Sequence, residues 1–327
     1  MNLHFQITRG RLLRGLALSL SLLCAQAMAE MPRTLQLLVG FPPGGGSDAV
    51  ARVLAGQLTE ELGLPVVVVN KPGAGGQLAA QALKAAPADG SQMYLSHDHA
   101  ISILPQLVKD AGYDPARDFV PVAGFASFVN VLALSGSTPV RNVTEYLAWV
   151  RKQGGKSAIG IPAPASTLEF LVQLLAQHQG LDLVAVPYKG GAPLINDMLG
   201  GQVSAGMASV PDFIELHRAG RLRMVAVMGK DRQSLLPDVP TFRELGLSGL
   251  EDMPYYGIFA PTGTPRDVIE RVSGALARIL ARPAIQKQLE QTGLQVEYMT
   301  PQQLGARERT YTQAWSRIIA RSGWRPQ

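Results

Sequence analysis

The 327 residues carry 30 Lys and Arg against 25 Asp and Glu, a formal charge of +5. No basic run and no interleaving of basic with aromatic residues follows the first turns of chain, so charge leaves no footprint for nucleic acid. The single cysteine, Cys24, lies near the start, which leaves the rest without a thiol for catalysis, metal binding or a disulfide.

Residues 1 to 29 hold Arg9, Arg11 and Arg14, no acidic residue, the apolar run Leu16 to Leu23 and the small-residue site Ala27-Met28-Ala29. This is the pattern of a secretory signal peptide cut after Ala29, and it predicts an exported protein. A lipid anchor at Cys24 is the alternative, disfavoured by the bulk of Leu23 before it. Removing three arginines leaves 27 basic residues against 25 acidic, a net charge of +2. No later segment reaches the roughly 18 apolar residues of a membrane span.

From there short apolar runs alternate with amphipathic stretches, as in βα units, and the fold class is α/β. Strands are predicted near Leu35 to Val39, Val66 to Val69, Met93 to Leu95, Val122 to Leu134, Ala158 to Gly160, Leu183 to Val186, Val203 to Met207, Arg223 to Met228 and Tyr256 to Ala260. Helices are predicted over Ser47 to Leu62, Gly76 to Ala85, Val143 to Lys152, Ser166 to His178, Pro193 to Leu199 and Asp267 to Leu280. A last helix is expected around Tyr311, Trp315, Ile318 and Ile319. No Ser- or Pro-rich linker separates two halves, which suits two lobes joined by two crossings, near Ala126 to Leu132 and Pro254 to Phe259. The first lobe is then discontinuous, residues 30–127 plus 257–327, and the second spans 128–256.

The junction Val39-Gly40-Phe41-Pro42-Pro43-Gly44-Gly45-Gly46-Ser47-Asp48 takes a strand into a helix through three glycines. A helix start offers unpaired N–H groups and a positive dipole end, so this is a place to hold a carboxylate or phosphate. Val50, Val53, Leu54, Leu58 and Leu62 share one face, Ser47 or Asp48 is the expected N-cap, and Gly63 the stop. An ordinary tight turn explains a glycine cluster equally well when seen alone.

A second cluster, Asn70-Lys71-Pro72-Gly73-Ala74-Gly75-Gly76, lacks the third glycine of a dinucleotide fingerprint and reads as a structural turn. Gly154-Gly155-Lys156-Ser157 lacks the first glycine of a P-loop, and no serine-hydrolase, penicillin-binding or zinc-protease signature occurs. His97-Asp98-His99 follows a strand at the edge where open α/β sheets keep their ligands. It is a polar loop facing a ligand or a surface feature; it has no spaced partners for a metal, and Asp98 could receive an amine. Ile161 to Thr167 leads from strand to helix with Ser166 or Thr167 as cap, and Val186 to Pro193 puts Lys189 beside another helix start.

These junctions resemble the exported solute-binding proteins of the tripartite tricarboxylate transporter family, also called Bug proteins. The segments are VGFPPGGGSD (Val39 to Asp48), VVVVNKPGAGG (Val66 to Gly76), YDPARDFVPV (Tyr113 to Val122), VPYKGGAPLINDMLGGQV (Val186 to Val203), LPDVPTFRELG (Leu236 to Gly246) and YGIFAPTGTP (Tyr256 to Pro265). Together they span nearly the whole of residues 30 to 327.

The resemblance implies a two-lobed periplasmic binding-protein fold of type II, each lobe a parallel-rich sheet flanked by helices. It implies a monomer without cofactor or metal that closes like a flytrap over a small carboxylate and delivers it to membrane permease subunits. In the family the carboxylate is held by backbone groups and waters at the first Gly-rich loop. That carries onto Phe41, Pro43, Gly44, Gly45, Gly46, Ser47 and Asp48, and in the second lobe onto Ser166, Thr167 and the turn Tyr188-Lys189-Gly190. Two departures fall on ligand-side positions. Ala163 and Ala165 stand in a stiff Pro-Ala-Pro-Ala entry where many members have Gly and Ser, and Ala208-Ser209 replaces an acidic-amide pair. A less polar carboxylate thereby becomes a candidate ligand. The alternatives are an exported α/β enzyme working through His97-Asp98-His99, and a ligand-sensing partner of a signalling receptor.

Overall fold

A computed structural model describes residues 31–248 and 251–322. The expectations for Arg9 to Ala29, including Cys24 and the cleavage site, lie outside the described residues. Among those described, no helix is long and apolar enough to cross a membrane.

The chain enters on β1 (Leu35–Val39), whose residues are buried apart from Gln36, and helix α1 (Gly46–Leu62) returns it to β2 (Val66–Asn70). Helix α1 buries Val50, Ala51, Leu54, Leu58 and Leu62, one stripe at helical spacing. Gly63, at φ 68°, ends it by donating to the Thr59 carbonyl, a backbone that residues with a Cβ rarely adopt. After α2 (Gln77–Lys84), β3 (Gln92–His97) pairs parallel with β1 on the side opposite β2. A π-turn at His99–Ile103 and a helical turn at Leu104–Leu107 then lead towards β4 (Phe119–Ser127).

At Phe128 and Val129 the chain leaves this sheet, and β5 (Asn130–Ser135) belongs to another. That second sheet holds β6 (Lys156–Ile161), β7 (Asp182–Pro187), β8 (Ala205–Ser209) and β9 (Leu222–Val227), in the order β7-β6-β8-β5-β9. Its helices are α3 (Val143–Lys152), α4 (Thr167–Gln179), α5 (Gly191–Leu199) and α6 (Val210–Arg218). The chain then returns to the first sheet with β10 (Tyr255–Pro261), followed by α7 (Arg266–Leu280), α8 (Pro283–Gln291), the edge strand β11 (Gln295–Met299) and α9 (Pro301–Ser322). The six-stranded order is β11-β4-β10-β3-β1-β2. The two crossings meet where Phe128 donates its amide to the Pro254 carbonyl, 3.2 Å.

Both sheets are mixed. Pairs β1·β2, β1·β3, β6·β7 and β6·β8 are parallel, whereas β10 is antiparallel to β3 and β4, β11 to β4, and β5 to β8 and β9. The strands that follow a crossing enter their new sheet from the far end, so they run against their neighbours. The run Val122 to Leu134, expected as one strand, is two for the same reason: it is mostly apolar on both sides of Ser127 to Asn130 because each half is buried in a different sheet. Behind the first sheet pack Tyr94, Phe259, Tyr311 and Trp315, joined by Phe170 of α4, whose ring lies 5.6 Å from Trp315. Separate clusters around Phe242 and Phe213 cover the second sheet. Each such buried side chain contributes about 1.5–3 kcal/mol relative to exposure.

Candidate functional site

After β1 the chain turns through Phe41 to Gly45. Gly45 is the N-cap of α1, and the helix begins at Gly46, so the cap falls two to three residues before the Ser47 or Asp48 expected. Asp48 sits at the third helical position and reaches back to accept the Gly44 amide at 3.0 Å. Its other contacts are Arg52 at 3.0 Å and the Asn70 amide at 2.9 Å. Burial opposes the charged form of Asp48, but hydrogen bonds from Arg52, Gly44 and Asn70 outweigh it and hold the carboxyl below its usual range. The Ser47 hydroxyl bonds the Tyr256 phenol at 2.9 Å. The Gly46 amide donates at 2.8 Å to Asp212 of α6, a contact from one sheet's helices to the other's.

The end of β3 supplies His97, Asp98 and His99. His97 stacks on Phe41, 5.2 Å between centroids, with Phe128 and Tyr256 edge-on at 5.8 and 5.6 Å. Asp98 is buried, accepts from the Tyr311 hydroxyl at 2.9 Å and lies 3.2 Å from His97 Nδ1. His99 is 4 % exposed, and neither ring nitrogen has a hydrogen-bond partner. Burial pushes its pKa down to about 4, His97 adding to that and Asp98 opposing it, so the ring is neutral near pH 7. A Cβ at Gly75 would stand 2.5 Å from His99 Nε2 and 3.2 Å from Ala163 Cβ. The second glycine cluster thus has positive φ at Gly73, Gly75 and Gly76 and serves as packing surface for this histidine.

From the other sheet, Ala165 takes φ 49°, a left-handed position usually reserved for Gly, and gives its amide to Glu169 at 2.7 Å. Ser166 is the N-cap of α4, yet its hydroxyl donates to the Ala163 carbonyl, 2.9 Å, and caps nothing. Thr167 is 4 % exposed and its Oγ1 has no partner. At α6, Ser209 and Asp212 form a capping box, in which the Asp212 carboxylate accepts the Ser209 hydroxyl at 2.5 Å and its amide at 3.3 Å. Gly191, which opens α5, lies against the same carboxylate; a Cβ there would be 2.4 Å from Asp212 Oδ1.

These parts enclose a cleft of about 60 Å³, room for a few waters. Of the residues singled out in sequence, Phe41, Gly45, Gly46, Ser47, His97, Asp98, His99, Ala163, Ser166, Thr167 and Ser209 line it. Pro43, Gly44, Asp48, Ala165, Tyr188, Lys189, Gly190 and Ala208 do not. Asp48 faces Arg52 and Asn70; the Tyr188 hydroxyl is tied to Asp197 at 2.8 Å; Lys189 is exposed; and Gly190 backs onto Pro42. The structure adds Phe128, Asn130, Pro162, Leu168, Gly191, Asp212 and Tyr256. Asp212 was signalled by the Ser209-Val210-Pro211-Asp212 spacing of a capping box, and Phe128 and Tyr256 by their place at the crossings. Among the described residues no three His, Cys, Asp or Glu side chains gather as a metal site.

Two helix-flanked sheets joined by two crossings, with a cleft between helix amino ends, define a protein of the periplasmic solute-binding class. Residues 50–324 match the tripartite tricarboxylate transporter family receptor, and the chain belongs to that family. A relative, the UPF0065 protein in the tcbD-tcbE intergenic region of Pseudomonas sp. strain P51, is 32% identical over 96% of this chain and 94% of its own. The periplasmic binding protein BugD is 31% identical with a TM-score of 0.85, over 91% of this chain and 100% of its own. Rpa4515 of R. palustris, solved with adipate, is 30% identical with a TM-score of 0.84, over 91% and 100%. MatC of Rhodopseudomonas palustris, solved with bound malate, is 26% identical with a TM-score of 0.79, over 88% and 99%.

Proposed function

We propose that this chain captures a small carboxylate-bearing metabolite in the cleft between two hinged lobes and delivers it to the membrane permease of a tripartite tricarboxylate-type transporter. The lobes are residues 30–127 with 257–327, and 128–256. One observation carries the proposal: the amino ends of α1, α4, α5 and α6 all reach one cleft, into which the buried and unpartnered Thr167 and His99 also face. Helix amino ends favour anions through their free amides and dipoles, and an unmet buried polar group costs about 1–3 kcal/mol that a ligand recovers. The adipate and malate of two relatives support the same ligand class. Export with removal of residues 1–29 is part of the proposal, and mass spectrometry of the periplasmic form is expected to find Glu30 first.

Thermal shift against mono- and dicarboxylates tests the binding step. A ligand at 100 times its Kd is expected to add about 2.7 kcal/mol of stability. A melting point that no carboxylate moves, while a nucleotide does, would sink the proposal.

A further inference from the structure

The helix starts in the cleft differ in what already meets them. The carboxylate of Asp212 already holds the Gly46 amide of α1 at 2.8 Å, completes the capping box of its own helix α6, and lies against Gly191, the first residue of α5. Three of the four helix ends described at the cleft therefore lie beside one carboxylate that the protein itself supplies. At α4 the Thr167 hydroxyl remains unpartnered although it is buried.

Among the described residues no Lys or Arg lines the cleft, whereas two carboxylates do. Asp98 has its oxygens engaged by Tyr311 and His97. Asp212 is only partly buried, and Oδ1 accepts one hydrogen bond where a carboxylate oxygen has room for two. A ligand with two carboxylates would find one anion position at α4 and would bring its second charge towards Asp212, with no cation to receive it. A ligand with one carboxylate and one ammonium matches both ends. The rings of Phe41, Phe128 and Tyr256 on the same cleft are surfaces that accept a cation.

We infer that the ligand is an amino carboxylate, with its carboxylate at the amino end of α4 beside Thr167 and its ammonium group on Asp212. The inference rests on the carboxylate-binding proposal and narrows it.

The test is isothermal titration of the protein with matched pairs: glutamate against glutarate, aspartate against succinate, and 5-aminopentanoate against glutarate. In at least one pair the amino acid is expected to bind tenfold or more tighter than the dicarboxylate. Asp212→Asn is expected to erase that preference while the dicarboxylate gains affinity. Tighter binding of every dicarboxylate, or equal binding within each pair, overturns the inference and leaves the carboxylate proposal standing. Heat from none of these acids, with none from simple monocarboxylates, overturns both. The wild-type pairs decide the matter even if Asp212→Asn does not fold; a folded Asp212→Asn that keeps the full preference also overturns the inference.

Discussion

At the start of α1, Gly44 and Gly46 give their amides to Asp48 and Asp212. At the start of α4, across the same cleft, Ala165 gives its amide to Glu169 while the buried Thr167 hydroxyl bonds nothing. The first site has three glycines and looks in sequence like the better anion cradle; the second follows a stiff Pro-Ala-Pro-Ala entry and looks closed. Glycine tells that something approaches the backbone closely. It does not tell whether that something is a ligand or the protein's own carboxylate, which comes here from residue 212.

His99 stands between the two starts, wedged against Gly75 and Ala163, and gives the largest expected effect. Its pKa falls from 6.5 to about 4 on folding, chiefly through burial. The folded state then binds fewer protons than the unfolded state, so the stability is fully present above about pH 6.5 and is lost as pH falls through 4. The loss is on the order of 3 kcal/mol between those values. Melting curves of His99→Asn, which cannot titrate there, are expected to be flatter over that interval than those of the wild type. Parallel curves would mean that the folded protein protonates the ring as readily as the unfolded chain does, and that burial does not hold it neutral in acid.

Most of the fold was legible because its strands are short apolar runs with turn residues at both ends; β1 and α3 fall on the residues expected. The exceptions have physical causes. Strand β11 lies at a sheet edge, and its alternating exposure leaves no apolar run to see. The run through Phe128 hid a change of sheet because both halves are equally buried. At the site, Phe41, Ser47, His97 and Thr167 could be found because each stands at a strand exit. Asp212 could be read there as a capping residue but not as a cleft residue, since its sequence context says only that a helix begins. The contact that matters joins residues 166 positions apart, and no local pattern encodes such a distance.

Gly46→Val presses on the first of the two starts. The residue is already helical, so the backbone accommodates valine at a cost below about 1 kcal/mol. Its Cβ, however, would lie 3.1 Å from Pro211 Cβ and 3.2 Å from the Asp212 amide nitrogen, which pushes α6 off α1 and breaks the bond to Asp212. A hydrogen bond to a charged group contributes about 1.5–3 kcal/mol, so closure over ligand weakens by roughly tenfold to a hundredfold. Titration calorimetry on the folded variant checks this, and an unchanged Kd would remove α1 from the site.

Thr167→Val presses on the second start, with the smallest effect and the clearest sign. The substitution keeps the side chain's shape and β-branching and removes only a hydroxyl that is 4 % exposed without a partner. In the free protein a buried hydroxyl bonded to nothing is a cost, so valine is expected to raise stability by about 1 kcal/mol. That corresponds to roughly 2–4 °C in Tm for a domain of about 150–250 residues, and somewhat less here. If the ligand's anion sits at α4, the same change removes one of its donors and weakens binding by roughly tenfold. Stability and affinity then move in opposite directions, as expected of a group held unsatisfied until the ligand arrives. A variant more stable and equally tight would show that Thr167 is a packing defect and that the ligand's carboxylate lies elsewhere. One less stable would show that a water or a neighbouring group satisfies the hydroxyl in the free protein, and the contrast between α1 and α4 would then disappear.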